Sequence, residues 1–250
     1  MSTAPLFLVE SLPAGERAVL DGPEGRHAAT VKRIRPGERV LLADGRGGLA
    51  DAVVDAAERD TVALTIVGRR TLAPPAPRVL LAQALVKGDR GELAVEMATE
   101  AGVDTILPWR AARCVARWDD GPRGAKALAK WRGTVREAAK QARRPWLPEV
   151  EEPVTTAALA RRAAAVGCAL VLHESATTHL ADVRLPVEGE VLLAVGPEGG
   201  VSDTELAELT AAGAVAVRLG PEVLRASTAA AVALGALGVL TSRWNAARGT

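Results

Sequence analysis

The chain has 250 residues, 48% of them apolar, and carries 31 Lys and Arg against 30 Asp and Glu. This length allows one large domain or two modest ones, and a composition rich in Ala and Val suits α/β layers. The 2 Cys and 3 His are scattered, which excludes a disulfide framework and gives no spacing typical of metal ligands. We therefore expect no bound metal.

The sequence also predicts a protein that stays out of membranes. The N-terminus lacks a signal-peptide pattern. The most apolar segment, Ala226 to Leu240, contains Ser227 and Thr228 and is shorter than the stretch of about 18 apolar residues that a membrane span needs. We expect a soluble protein of a reducing compartment, the cytoplasm.

The first 72 residues are typical of a small β-domain. Residues 39–45 end in a turn dipeptide, residues 47–54 resume an alternating pattern, and residues 61–67 alternate cleanly between apolar and polar side chains. These short strands predict a β-barrel or sandwich. The Pro-rich segment 73–77 then predicts a stiff linker, with a second domain over residues 78–250.

In the second domain, strands alternate with helices. We predict strands at 79–85, 103–108, 168–172, 191–195 and 215–219, and helices at 91–101, 125–144, 155–166, 204–212 and 226–244. This order indicates a mostly parallel sheet covered on both faces, whose ligands bind beyond the C-terminal ends of the strands.

Positive charge is concentrated in one part of this domain. Residues 110–144 contain 11 Lys and Arg against 3 Asp and Glu, a local balance of +8, so the remaining residues carry −7. A long basic helix of this kind is typical of a surface that faces a polyanion. The alternative is an ordinary solvated helix face.

A loop with the sequence Gly-Pro-Glu-Gly-Gly, residues 196–200, follows the predicted strand 191–195, and Ser202 with Glu205 forms a capping-box signal just after it. The loop matches neither the dinucleotide fingerprint nor the P-loop pattern, which disfavours a dinucleotide-dependent oxidoreductase. Because Glu198 would repel a polyphosphate, the ligand should be uncharged or cationic there. The alternative is a plain strand–helix turn with an exposed glutamate.

A second Gly-Pro-Glu loop begins at Gly220, after the predicted strand 215–219, so two neighbouring strands are expected to present such loops to one edge of the sheet. Arg225, Ser227 and Thr228 then open an otherwise apolar helix. A simple N-cap explains a Ser or Thr at this place but not Arg225, which suggests use in a site. The third copy, Gly22-Pro23-Glu24, lacks a strand–helix frame and is interpreted as coincidence.

Further motifs accompany these loops in a fixed order. They are residues 26–38, Asp44-Gly45, Lys87-Gly88-Asp89-Arg90, residues 98–103, Arg113-Cys114, Pro148-Glu149-Val150 and Leu224-Arg225. Each is weak alone, but the ordered set resembles the bacterial 16S rRNA (uracil-N3)-methyltransferases, a branch of the SPOUT superfamily. The resemblance covers nearly the whole chain.

The resemblance implies an α/β fold: a SPOUT methyltransferase domain with a deep trefoil knot, preceded by a PUA-like RNA-binding β-barrel. It further implies S-adenosyl-L-methionine as cofactor, a homodimer whose interface lies near the knot, and 16S rRNA within the assembled 30S subunit as partner. The cofactor carries a sulfonium cation and no phosphate, which agrees with Glu198 in the loop.

By carry-over from the family, three segments are expected to form the cofactor site. The residues are His173, Glu174, Ser175, Val195, Gly196, Gly199, Gly200, Leu219, Gly220, Leu224, Ala226, Ser227 and Thr228. Many family members have a carboxylate where Ser227 stands, so we assign no general base to that position.

Arg225 and Glu198 are the predicted catalytic residues. Arg225 would orient the uracil carbonyls or stabilise the N3 anion that develops on the ring; the alternative role is a contact with a phosphate or a second protomer. Glu198 would accept a proton or hold Arg225 in place. The competing function is a non-catalytic RNA-binding or ribosome-assembly factor on the same fold.

RNA is expected to be held mainly through its phosphates, because aromatic side chains are scarce. The predicted RNA contacts are His27, Lys32, Arg33, Arg35, Lys87, Arg90, Arg113, Lys140 and Arg144.

Overall fold

The structure is a computed structural model that describes residues 4–244. The chain divides into two compact units. The first contains the described residues up to Pro74 together with Ala139–Leu147, and the second contains Pro75–Ala138 together with the described residues from Pro148 onward. The second unit therefore lacks one short piece, 139–147, that the sequence placed in it.

The first unit is built on a five-stranded sheet with the order β1-β3-β4-β5-β2. Its strands are β1 (Leu6–Leu8), β2 (Arg17–Leu20), β3 (Arg39–Ala43), β4 (Gly48–Ala57) and β5 (Val62–Thr71). Only β1 and β3 run parallel, and two register shifts in the β4–β5 pair curl the sheet around a core that includes Phe7 and Leu64. A short helix α1 (Gly22–Arg26) passes directly into a π-helical turn, His27–Val31.

The second unit contains a six-stranded, all-parallel sheet with the order β11-β9-β10-β6-β7-β8. Its strands are β6 (Arg78–Ala84), β7 (Thr105–Trp109), β8 (Glu149–Val150), β9 (Cys168–Leu172), β10 (Glu190–Val195) and β11 (Val215–Val217). The central strands are buried on both faces, as their unbroken apolar sequences predict.

Five α-helices follow β6 within residues 4–244. They are α2 (Arg90–Glu100), α3 (Pro122–Gln141), α4 (Thr156–Ala165), α5 (Asp203–Ala211) and α6 (Ala226–Leu240). Leu80 and Ala82 of β6 pack with Leu159 of α4 and Leu209 of α5. Helix α6 packs against α2 and contacts β6 and β10. The predicted α/β class, a mostly parallel sheet that follows a small β-rich unit in the chain, is confirmed.

Several bounds differ from the sequence-based expectation for local reasons. Strand β11 ends at Val217, because Arg218 exchanges backbone hydrogen bonds with Thr178 and Leu180 instead of continuing the β9 ladder. Helix α6 ends at Leu240, and residues 242–244 form a separate 3₁₀ turn. There Arg243 forms a buried ion pair with Asp104, 2.7 Å between Nη1 and Oδ2.

The two Gly-Pro-Glu loops follow β10 and β11. The sequence suggested that these two strands are neighbours, but they are not adjacent in the sheet. Strand β9 lies between them and pairs with both. Because all three strands are parallel, the loops still reach the same C-terminal edge of the sheet. Within residues 4–244 no helix is long and apolar enough to cross a membrane.

Candidate functional site

A cavity of about 670 Å³ opens at the C-terminal edge of the second unit's sheet. Its walls come from the ends of β9, β10 and β11, the segments after these strands, and the first turn of α6. The lining residues are Val86, Arg90, Arg113, Leu172–Ser175, Val195–Val201, Asp203, Val217–Gly220, Glu222–Ser227 and Ala229. This is the position that parallel α/β sheets use for their ligands.

The cavity gathers the residues predicted for the cofactor, with one exception. Both predicted catalytic residues, Arg225 and Glu198, also line it. Thr228 is not among the lining residues; it lies in the first turn of α6, where its backbone N–H donates to the carbonyl of Arg225. The expectation that Thr228 contacts the cofactor stays a prediction.

The first loop, residues 196–201, is held tightly by its own backbone. The N–H of Gly200 donates to the carbonyl of Pro197 at 2.9 Å, and Gly200 has a φ of +73°, which favours glycine. A Cβ on Gly196 would lie 2.8 Å from Cγ2 of Val201. The loop folds so closely over Val201 that glycine is needed where it leaves β10.

Arg113 fastens the same loop from outside. Its Nη1 donates to the carbonyl of Gly199 at 3.1 Å and approaches that of Val201 at 3.5 Å. Arg113 was predicted to bind RNA. In the structure its guanidinium holds two carbonyls of the loop and so shapes the cavity wall, and its contact with RNA stays a prediction.

The loop ends in the predicted capping box. The Ser202 hydroxyl accepts from the N–H of Glu205, and Glu205 Oε2 accepts from the N–H of Ser202 at 3.1 Å and from its hydroxyl at 2.7 Å. The other carboxylate oxygen accepts from the N–H of Ala112 at 2.8 Å and from the hydroxyl of Thr156 at 2.9 Å. Glu205 is 5% exposed.

The pKa of Glu205 is set by two opposing effects. Burial raises it, but the hydrogen bonds from Ser202, Ala112 and Thr156 together outweigh burial and bring the pKa below its ordinary value. Glu205 is therefore a carboxylate at neutral pH. By contrast, burial raises the pKa of the nearby Cys114 thiol, which is half-buried and stays protonated.

The second loop, residues 219–225, is held much less. Pro221, Glu222 and Val223 are exposed, and Val223 is 76% exposed. Arg225 occupies the N-cap position of α6 without a side-chain cap, and its carbonyl accepts from the N–H groups of Thr228 and Ala229. The Arg225 side chain forms no hydrogen bond or ion pair with the part of the chain that the structure describes.

The third wall is the segment after β9. The N–H of His173 donates to the carbonyl of Val217, which extends the β9–β11 pairing by one bond. The hydroxyl of Ser175 lies 2.9 Å from Nδ1 of His173. Glu174 and Ser175 are exposed at the mouth of the cavity, so polar groups meet a ligand there.

Glu198 lies at the rim of the cavity with one third of its side chain exposed, 33%. Its nearest cation is Arg90, with 4.0 Å between Oε1 and Nη1. The expectation that Glu198 holds Arg225 is not met, since its neighbour is an arginine from the start of α2. Both Arg90 and Arg113, predicted as RNA contacts, line this cavity.

The remaining predicted RNA contacts divide by exposure. In the first unit Lys32, Arg33 and Arg35 are exposed, whereas His27 is half-buried with its ring against Phe7. Lys87 is exposed in the second unit, and Arg144 is half-buried.

The expectation that Lys140 contacts RNA is corrected. Lys140 is buried and its Nζ lies 3.1 Å from Oε1 of Glu24, with side-chain exposures of 8% and 12%. The Gly22-Pro23-Glu24 sequence thus supplies the partner of a buried ion pair within the first unit. A buried charge on a basic helix cannot be told from an exposed one by composition.

Sequence reasoning missed some of the cavity lining. Val86, Asp203, Val217, Arg218, Glu222 and Val223 also face it, with Leu172, Val201 and Ala229. Several of them, such as Val86 and Leu172, lie directly at the predicted strand ends, which was the available signal. No group of three or more His, Cys, Asp or Glu that could bind a metal occurs within residues 4–244.

Comparison with known proteins gives the family. The model of the RNA methyltransferase domain matches residues 74–238, and that of the RNA methyltransferase PUA domain matches residues 20–67. The chain belongs to the RNA methyltransferase family.

Its relatives in this family match almost end to end. The chain is 54% identical over 248 residues to ribosomal RNA small subunit methyltransferase E of Mycobacterium bovis, covering 97% of this chain and 94% of the relative. The Bacillus subtilis protein of the same name is 29% identical, with 89% and 90% covered. The crystal structure of the Neisseria gonorrhoeae protein, bound to S-adenosyl methionine, has a TM-score of 0.84 at 29% identity and covers 95% of this chain and 98% of its own.

Proposed function

We propose that this member of the RNA methyltransferase family transfers a methyl group from S-adenosyl-L-methionine to N3 of a uridine in 16S rRNA of the small ribosomal subunit. The observation that carries the proposal is the cavity: two Gly-Pro-Glu loops and the His173–Ser175 segment enclose one space, in a chain 54% identical over nearly its whole length to a small-subunit ribosomal RNA methyltransferase.

The cavity fits the methyl donor in size and chemistry. A volume of about 670 Å³ lies within the range of cofactor sites. Glu174, Glu198 and Asp203 line it beside the apolar Val195 and Leu219. Carboxylates disfavour a polyphosphate and favour a ligand with an amino group and a sulfonium cation. When bound, S-adenosylmethionine supplies the methyl group on a positively charged sulfur.

Arg225 is the residue we assign to the uracil. Its guanidinium is exposed at the cavity, fixed at the N-cap of α6 and not engaged by the described part of the chain. Loss of the N3 proton places negative charge on the ring, which spreads to the neighbouring carbonyl oxygens. An arginine facing those oxygens stabilises the charge and fixes the direction of approach of N3.

Glu198 is the group that we assign to the N3 proton. It is a rim carboxylate within the cavity, and Arg90 lies 4.0 Å from it. Ser227 is unsuited to this role because its hydroxyl is buried at 5% exposure and is not a base. Proximity in such a site, with N3 held against the donor, supplies roughly 7–11 kcal/mol of the barrier lowering.

RNA is held by exposed cations in each unit. Lys32, Arg33 and Arg35 in the first unit and Lys87 in the second are solvent-exposed. Contacts of this kind release counterions, so RNA affinity falls steeply as salt is raised. Filter binding across a salt series measures the slope. A slope close to zero contradicts phosphate contacts, and Arg33→Ala should lower the slope by about 1.

The proposal includes a homodimer and the trefoil knot of the family. Helix α6 supports an interface: Val232, Val239 and Leu240 expose 43%, 67% and 46% of their surface on one helix. Sedimentation of the purified protein tests this, and Val239→Glu should shift a dimer toward monomer. A wild-type protein that sediments as a monomer refutes it.

The assembled 30S particle in the cytoplasm is the proposed substrate. Mass spectrometry of small-subunit rRNA from a deletion strain should show one uridine lacking its N3 methyl group. Purified protein with S-adenosylmethionine should restore it on 30S particles better than on free rRNA. If the rRNA is fully methylated without the protein while the protein still binds the subunit, the function is assembly without catalysis.

A further inference from the structure

Glu205 is a buried carboxylate that does not line the cavity, and its two oxygens accept four hydrogen bonds. Two come from Ser202, through the N–H at 3.1 Å and the hydroxyl at 2.7 Å, and both reach Oε2. Two reach Oε1, from the N–H of Ala112 at 2.8 Å and the hydroxyl of Thr156 at 2.9 Å. A capping box requires only the bonds to Ser202. The bonds to Ala112 and Thr156 therefore serve another purpose.

The direction of these bonds is fixed by a neighbouring tryptophan. The fully buried Trp109 donates its indole N–H to the Thr156 hydroxyl oxygen at 3.1 Å. The indole can only donate, so the Thr156 proton is free to point at Glu205. Glu205 is thus surrounded by donors on both oxygens, and only an ionised carboxylate accepts from all of them.

These bonds join two segments that are distant in sequence. Ala112 immediately precedes Arg113, whose guanidinium donates to the carbonyls of Gly199 and Val201. The segment after β7 is therefore tied to the 196–205 region at two points, through Arg113 at the loop and through Glu205 at the start of α5. Two ties fix both the position and the tilt of the loop, whereas one would leave it free to turn.

We propose that Glu205 is a positioning residue for methyl transfer: it fastens segment 111–113 to loop 196–201 and so holds the cofactor-facing wall in its binding shape before the methyl donor arrives. This rests on the proposed function, because the ligand is taken to be S-adenosylmethionine. Glu205 acts through Ala112, Arg113 and Ser202 and touches no reacting atom.

An isosteric amide cannot replace this carboxylate. In Glu205→Gln the side chain offers one acceptor oxygen and presents an NH₂ group to either the N–H of Ser202 or that of Ala112. The side-chain NH₂ group then faces a backbone N–H, two donors in contact, and the loop moves away from segment 111–113. Small displacements in a preorganised site lower binding and rate by up to about 100-fold.

Two variants and a control test the proposal in the full-length protein. Glu205→Gln weakens the tie through Glu205 and leaves the tie through Arg113 in place. Thr156→Val keeps the shape of the side chain and the capping box but removes one donor to Oε1, together with the acceptor of the Trp109 indole N–H. Glu208→Gln removes a carboxylate from the same helix outside the network. For each, calorimetry gives the Kd for S-adenosylmethionine, steady-state assays give KM for cofactor and for RNA, and hydrogen exchange reports residues 110–114 and 196–203.

We expect Glu205→Gln to weaken cofactor binding about 10- to 100-fold and Thr156→Val to weaken it severalfold, with faster exchange in both segments. The KM for RNA and the behaviour of Glu208→Gln should stay within about twofold of wild type, because neither depends on the two ties. If Glu205→Gln does not fold, Thr156→Val decides.

Two results overturn the proposal: unchanged cofactor affinity and exchange in folded variants, or an equal rise in KM for cofactor and RNA that follows a general loss of folded protein. Should wild-type protein fail to bind S-adenosylmethionine, the proposed function is refuted. The exchange comparison still decides whether Glu205 fastens the two segments.

Discussion

The two Gly-Pro-Glu loops begin with the same three residues, follow strands of one sheet and face one cavity, but they are held very differently. Loop 196–201 is closed by a turn, fastened by Arg113 and anchored through Ser202 to Glu205. Loop 219–225 leaves Pro221, Glu222 and Val223 exposed and opens α6 without a side-chain cap.

The difference comes from the residues after each Gly-Pro-Glu. In the first loop Gly-Gly-Val leads to Ser202, which meets the requirements of a helix start. In the second, Val223 and Leu224 lead to Arg225 at the N-cap position, and an arginine side chain cannot accept a backbone N–H. Under the proposed function, one loop is a fixed wall for the cofactor, while the other carries a side chain that remains available to the substrate.

Arg225→Ala should have the largest effect, because it removes the functional group of the less constrained loop. We expect kcat for methyl transfer to fall about 100- to 1000-fold, the usual cost of one charge-stabilising donor. The Kd for S-adenosylmethionine should stay close to wild type. Radiolabelled methyl transfer to 30S particles and calorimetry measure the two quantities. Arg225→Lys, which keeps the charge, should recover part of the rate; wild-type turnover in Arg225→Ala removes Arg225 from the mechanism.

The glutamates of the two loops provide a matched pair. Glu198→Gln should lower kcat by about 100-fold if this carboxylate takes the N3 proton. Glu222→Gln, the equivalent change in the other loop, should alter kcat less than about twofold, because Glu222 is not assigned the role of general base. Assays across pH give both results. Equal effects of the two changes contradict the assignment.

Substitution of the glycine in each Gly-Pro-Glu sequence tests how tightly the two loops are packed. In Gly196→Ala the new Cβ would lie 2.8 Å from Cγ2 of Val201, so the loop must shift, at a cost of about 1–3 kcal/mol in the free energy of unfolding. In Gly220→Ala the nearest atom is Oε2 of Glu222 at 3.5 Å, and the change should cost less than about 0.5 kcal/mol. Urea unfolding followed by tryptophan fluorescence measures both. Equal losses would show that the two loops are equally constrained.

A fall in pH should lower the free energy of unfolding, by a smaller amount than Gly196→Ala does. The pKa of Glu205 is lower in the folded protein than in the unfolded chain, so its ionised form contributes stability above the ordinary glutamate value of 4.5. This contribution is lost as pH falls through the lower folded value. We expect the urea midpoint of wild type to decline toward that of Glu205→Gln in this acid range. A gap between wild type and Glu205→Gln that is constant with pH contradicts the prediction.

Local signals were sufficient for much of the fold. The alternation at 61–67, the capping box at Ser202 and the stop at Gly213 each act within a few residues, and the structure has β5, the start of α5 and its end at those places. The cavity could be anticipated because parallel strands bring their C-terminal ends to one edge.

Long-range partners could not be predicted in this way. Glu205 meets Ala112 and Thr156, and Lys140 meets Glu24. Nothing near Lys140 distinguishes it from the exposed Arg136, since both belong to one basic helix and only the packing of a distant segment buries one of them. The insertion of β9 between β10 and β11 is likewise a property of the assembled sheet.

Strand β6 cannot gain its partner β10 until most of the chain has been synthesised, because the register joins Leu80 to Leu192. In a nascent chain, the first neighbour of β6, the strand Thr105–Trp109, is therefore synthesised long before the second neighbour, β10. Pairings over such distances form slowly and leave strand edges open in the meantime. Since the cavity lining extends to Ala229, a chain that terminates before α6 lacks the wall of the cavity that the first turn of this helix supplies.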